Sequence, residues 1–151
     1  MPIDQRLLAT IIDGSPVATF VLGPDHKVIH WNRACAVLTG LAAHNVIGTN
    51  EQWRAFYDHE RPVMADIVLS GAKESAVSKY YYGKFRPSQL INGAYEAEDF
   101  FLAFGENGRW LYFTAAPLRN AEGDVIGAIE TLQDVTQRKL AEAALKKSLW
   151  C

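Results

Sequence analysis

The sequence predicts an α+β domain, because strand-like runs gather towards both ends of the chain and short helical patterns fill its middle. One observation behind this is a pair of short β-branched and aromatic runs on either side of Gly23-Pro24-Asp25. The other is a meander of three strands over residues 100–134 that passes without a break into an amphipathic helix.

Taken in order, Leu7, Leu8, Ile11 and Ile12 recur at helical spacing, with Asp4 as a start cap and Gly14-Ser15-Pro16 as a stop. Residues 1–16 are therefore a flanking helix whose apolar face requires a partner. Residues 17–22 and 27–31 are strands joined by the Gly-Pro-Asp turn. Asn32 opens a helix through Ala34, Cys35, Val37 and Leu38 that Gly40 closes, and a small turn follows at 42–46. Residues 52–57 place Trp53, Phe56 and Tyr57 in a helix-compatible pattern. Pro62 suits the first turn of a helix over 63–69, where its missing N–H is harmless. Over 72–97 periodicity is lost. Loops beyond roughly 12–15 residues are uncommon and often functional, so this insert is a candidate lid. Strands follow at 100–104, 109–118 and 125–134, with a strong hairpin signal in Glu106-Asn107-Gly108 and a second turn in Asn120-Ala121-Glu122-Gly123.

The bulk chemistry excludes several classes. A length of 151 residues suits one domain with a substantial core. Net charge −2 leaves no electrostatic footprint for nucleic acid or an anionic membrane. No run approaches a membrane span and no signal peptide is visible. Cys35 and Cys151 make no disulfide framework, which fits a reducing compartment, with membrane anchoring of a parent protein left open. His26, His30 and His44 fall in a turn, a strand and a loop, without metal-ligand spacing. There is no Ser/His/Asp arrangement, no phosphate loop and no pair of carboxylates with a shared site, so this fragment is not expected to be an enzyme.

Two motifs carry a resemblance. Asn32-Arg33-Ala34-Cys35-Ala36-Val37-Leu38-Thr39-Gly40 follows the second strand, and Asp134-Val135-Thr136-Gln137-Arg138-Lys139 follows the last. In this order and spacing they resemble the PAS sensory-domain family over nearly the whole chain. The first turn departs from it, having His26 where the family often places glycine after its aspartate. The resemblance implies a PAS fold: a five-stranded antiparallel sheet of order 2-1-5-4-3, with short helices over one face enclosing a small-molecule pocket. It implies PAS residues 17–135 with 72–97 as an insert, and a signalling helix that starts at 136–151 and continues further. It also implies a cytoplasmic bacterial signalling protein, most often a histidine kinase of a two-component system, that pairs as a homodimer.

The family's register turns Trp53, Tyr57, Met64, Phe101, Leu111, Phe113, Ala115, Glu130 and Leu132 towards that pocket. Glu130 interrupts an apolar strand, and a buried charge needs a partner. It either bonds an internal donor such as Tyr57, Trp53 or Arg54, or recognises an amine or hydroxyl of a ligand. At the exit, Thr136 is placed to cap the helix. Asp134 and Arg138 are close enough to pair, either as a surface ion pair or as a latch that sets the helix angle. Leu140, Ala144 and Leu145 make a stripe that either folds back on the sheet or pairs across a dimer with the help of Leu7, Leu8, Ile11 and Ile12. The reactive cysteine of flavin photoreceptors has no counterpart in Gly48-Thr49-Asn50-Glu51-Gln52-Trp53-Arg54, so a flavin–cysteinyl adduct is not expected. His59 reads as an exposed first-turn residue rather than a haem ligand. The cofactor, if any, is unknown. A domain that only dimerises, or serves a nucleotide cyclase, chemoreceptor or transcription regulator, is the alternative to a kinase input.

Overall fold

Alternating side chains build one antiparallel sheet, seen in a computed structural model that describes residues 5–71 and 73–150. Asp4, Ala72 and Cys151 lie outside the described residues. The strands are β1 (Ala18–Leu22), β2 (Val28–Trp31), β3 (Phe85–Pro87), β4 (Tyr95–Phe101), β5 (Arg109–Arg119) and β6 (Val125–Asp134). Their order across the sheet is β2-β1-β6-β5-β4-β3. The helices are α1 (Gln5–Asp13), α2 (Arg33–Thr39), α3 (Met64–Leu69), α4 (Glu74–Tyr81) and α5 (Thr136–Trp150). Among the described residues no helix is long and apolar enough to cross a membrane.

The core lies on one face of the sheet. Along β5, Leu111, Phe113 and Ala115 are buried, while Trp110, Tyr112 and Thr114 between them are half-buried on the other face. Helix α3 packs onto β5 and β6 and buries Met64, Ala65, Ile67, Val68 and Leu69. At the closest approach of β6 to β1, a Cβ on Gly127 would stand 2.6 Å from the Leu22 carbonyl oxygen. Only glycine fits there.

Asn32 ties the N-terminal half together. Its Oδ1 accepts from the Cys35 and Thr19 amides, each at 2.9 Å, so it caps α2 and holds β1 at once. Its Nδ2 donates to the carbonyls of Val17 at 2.9 Å and Ile12 at 3.0 Å. Helix α1 thus leans on β2 and α2. Gly40 closes α2 at φ 75°, donating to the Ala36 carbonyl.

Two expectations need correction. The sheet has six strands rather than five, because the 72–97 insert is largely structured. Within it α4 buries Val77 and Tyr81, four residues apart. The short β3 pairs with β4 through Phe85↔Ala97, Arg86↔Glu96 and Pro87↔Tyr95. A proline at an edge strand costs no ladder bond, which is why Pro87 is tolerated. The strand expected at 100–104 is also displaced. It runs instead over Tyr95–Phe101, and a loop of residues 102–108 replaces the tight hairpin.

Candidate functional site

Three places in this frame carry chemistry: the strand-to-helix exit, the inner sheet face, and a cleft beside the helical layer. At the exit, the ladder between β5 and β6 is prolonged past the end of the strand. The Val135 amide donates to the Trp110 carbonyl at 2.8 Å, and the Trp110 amide donates to Thr136 Oγ1 at 2.9 Å. Thr136, buried, is thus spent on β5 rather than on capping α5. Asp134 takes the capping role, its Oδ1 accepting from the Thr136 amide at 2.9 Å. The expected Asp134–Arg138 pair does not form. Asp134 Oδ2 stands 3.7 Å from Arg109 Nε, and Arg138 reaches Glu98 on β4 and Glu142 on its own helix. Lys139 Nζ also meets Glu98, at 3.3 Å, and lies over the Trp110 ring at 4.7 Å. Partial burial pushes the Glu98 carboxyl up, but hydrogen bonds from Arg138 and Lys139 outweigh this and hold it below the usual range. The other carboxylates of β4 also have partners: Glu96 accepts from the Tyr112 hydroxyl at 2.8 Å and pairs with Arg86, and Asp99 pairs with Lys84 at 2.9 Å.

On the inner face, Met64, Phe101, Leu111, Phe113, Ala115, Glu130 and Leu132 are all buried, with Trp53 and Tyr57 half-buried at the margin. The space they face is packed with rings. Phe113 lies 5.6 Å from Tyr81 and 6.0 Å from Phe101, and Phe56 lies 6.0 Å from both Phe101 and Phe104. Glu130 finds none of the three donors considered for it. Its Oε1 accepts from the Ala65 amide at 2.8 Å, while the Tyr57 hydroxyl meets that of Tyr81 at 3.3 Å. Burial raises the Glu130 carboxyl from 4.5 to about 8, the Ala65 bond opposing and the Asp66 charge assisting. Cys35 faces this core too, and burial, then the Glu130 charge, pushes its thiol up. A thiol so held is unreactive. His59 lies at the surface against Asp58, at 2.7 Å.

The cleft was not foreseen. The turn after β1 delivers His26 at φ 67°, a left-handed conformation unfavourable to a residue with a side chain. What holds it is visible: His26 Nδ1 lies 2.9 Å from Asp66 Oδ1, and its carbonyl accepts from Gln52 Nε2 at 3.0 Å. Gln52 Nε2 also donates to Asp66 Oδ1 at 2.9 Å, and Asp66 Oδ2 accepts from the Val63 amide at 2.9 Å. These bonds fix the amide's orientation, and Gln52 Oε1 is left buried without a partner. Arg61 lies over Tyr57 at 3.8 Å, with Tyr81 at 5.0 Å and Tyr80 at 5.2 Å. Its Nη2 is likewise buried and unpartnered. Orphaned buried polar groups cost about 1–3 kcal/mol each, more when charged. Both residues line one cavity of about 520 Å³, with Trp53, Glu60, Asp66 and Ala76 among its other walls.

An antiparallel sheet with its core on one face and a last strand running into an exit helix is the architecture in which these sites lie. The chain belongs to the PAS family, whose PAS-fold model matches residues 6–135. Members of this family are sensory and signalling modules, generally without catalysis of their own. Among solved structures it is similar to the PAS domain of Bordetella pertussis BvgS, at 17% identity and TM-score 0.56, covering 98% of this chain and 100% of that one. An RNA-binding light-oxygen-voltage receptor matches at 23% identity and TM-score 0.61, covering 99% of this chain but only 40% of that one. A PAS domain from Colwellia psychrerythraea matches at 17% identity and TM-score 0.54, over 88% of this chain and 98% of that one. At these identities the likeness shows the fold alone.

Proposed function

We propose that the chain is a PAS input domain that relays ligand occupancy or partner contact through α5 to a downstream effector in the same protein, with a histidine kinase of a two-component system as the first choice. The observation that carries this is the exit itself. β6 runs into α5 with Trp110 bonded to both sides of the junction and Glu98 gripping the first helical turn. A shift of β4 or β5 therefore acts directly on the helix, and relay requires only that a signal favour one helix pose over another. Spin labels at Glu122→Cys and Lys146→Cys, in a Cys151→Ser background, report that pose. Replacing Thr136 by Val is expected to broaden or move the distance distribution while the sheet still melts cooperatively. An unmoved distribution sinks the lever.

A second reading has its own support. The rings packed against the inner sheet face suit a module that only dimerises, its interior filled by its own side chains. Native mass spectrometry beside a denatured control separates the two. A retained small molecule favours sensing, and a bare chain that binds nothing in a metabolite screen favours scaffolding.

A further inference from the structure

We propose that the cleft between the β1–β2 turn, residues 52–55, α3 and α4 binds a small zwitterion, a free amino acid, with its carboxylate on Arg61 and its amine on Gln52 Oε1 and Glu60. The inference deepens, and rests on, the input-domain reading by naming what would be sensed.

Three observations converge on it. Gln52 is 2% exposed and its carbonyl oxygen has no partner, so a donor is wanted at that wall. Arg61 is a cation whose contacts are tyrosine faces and the Pro62 carbonyl, with no carboxylate partner among the described residues, so an anion is wanted at the other. Glu60, exposed at the surface, lines the same cavity and pairs with no cation among the described residues, which adds a negative charge for an amine. A ligand with one charge of each sign satisfies all of these groups, whereas a simple anion leaves Gln52 and Glu60 unanswered. The volume of about 520 Å³ lies within the usual range for small-molecule sites, and the Trp53 and Ala76 walls leave room for an apolar side chain. Gln52 and Arg61 both line the cavity while the two orphaned atoms are themselves buried, so binding requires Arg61 to swing off the tyrosine faces and uncover them. The left-handed backbone at His26 fits the same picture, since strain of this kind gathers at binding sites.

Isothermal titration of the chain with each standard amino acid, and with propionate and propylamine as the two halves of the zwitterion, tests the site. At least one amino acid is expected to bind, about tenfold or more tighter than either half. Arg61→Lys keeps the charge but loses the planar fork, and Gln52→Met removes the carbonyl at similar volume. Each is expected to weaken binding about 10- to 100-fold. Amide NMR shifts on ligand addition are expected at Trp53, Ile67 and Ala76, and unperturbed variant spectra elsewhere show that folding is intact. No binding by any amino acid, affinity unchanged in both variants, or shifts centred on Phe113 and Leu132 overturns the site. The spin-label distances need no ligand, so a failed titration leaves the relay standing and a failed relay leaves the titration meaningful.

Discussion

Glu130 sits between Phe20 on β1 and Ala115 on β5, 3% exposed, with the Ala65 amide as its partner. Its single bond joins the sheet to the first turn of α3, so the residue couples two layers of the fold. The cost of charging a carboxyl there is what raises it to about 8. The sign of the pH dependence follows from proton counts. Between pH 4.5 and about 8 the folded chain keeps a proton that the unfolded chain has lost, so stability falls as pH rises through that window, by up to about 1.4 kcal/mol per pH unit. Below 4.5 the contribution is complete, and above about 8 it is gone. Glu130→Gln retains an oxygen for Ala65 and cannot ionise. Urea melts across this range are expected to show a flatter stability profile for the variant and a gain over the parent at pH 8. A variant profile as steep as the parent's would place the dependence elsewhere.

At the scale of elements, the grip on α5 is electrostatic and only partly shielded from water, so its ion pairs contribute little to global stability. Its effect falls on where the helix lies. Because Glu98 titrates below 4.5 in the folded chain, the grip is intact above that pH and is lost as pH falls through its lowered value. Protection factors in α5, referred to the intrinsic exchange rate at each pH, are expected to fall on acidification, or in Glu98→Ala at neutral pH, while β5 and β6 amides stay protected. Equal protection in α5 under all three conditions would show that the helix needs no such hold. Strand β6 was legible in advance because Val125 to Leu132 make a long, mostly apolar run. Strand β3 was not, because three residues ending in Pro87 acquire strand character only by pairing with β4 ten residues on. Helix α4 offers just Val77 and Tyr81 as a buried stripe, too little to register against its lysine, serine and glutamate. Glu98 could not be assigned while the strand bearing it was expected to begin two residues later. The cleft was the least legible of all, since His26, Gln52 and Asp66 meet from separations of 26, 14 and 40 residues that follow no helical or strand period.

The whole molecule presents apolar side chains that its own sheet does not cover. On α1 no residue is buried, and Leu7, Leu8 and Ile11 are 53, 40 and 57% exposed, with Ile12 half-buried. On α5, Leu140 and Leu145 are 57 and 63% exposed, and Ala144 is exposed beside them. Isolated helices of this length are marginal in water, and an amphipathic face gains most of its stability by packing. These helices also flank the domain on either side of the sheet in sequence, the position from which pairing would align two exit helices for a common output. A homodimer through these faces is the expected assembly. Full burial of a leucine or isoleucine is worth about 1.5–3 kcal/mol, and roughly half of that is open to Leu8 and Ile11 on each protomer. Counted over both protomers, Leu8→Glu with Ile11→Glu is expected to raise the dimer dissociation constant by at least about 100-fold in sedimentation velocity. The pair faces water in the lone domain, so the melting profile of the sheet is expected to hold. If the parent chain sediments as a monomer at all concentrations, neither helix is a dimer contact and α5 must transmit within a single chain; if the double variant still pairs as tightly, α1 is not the contact.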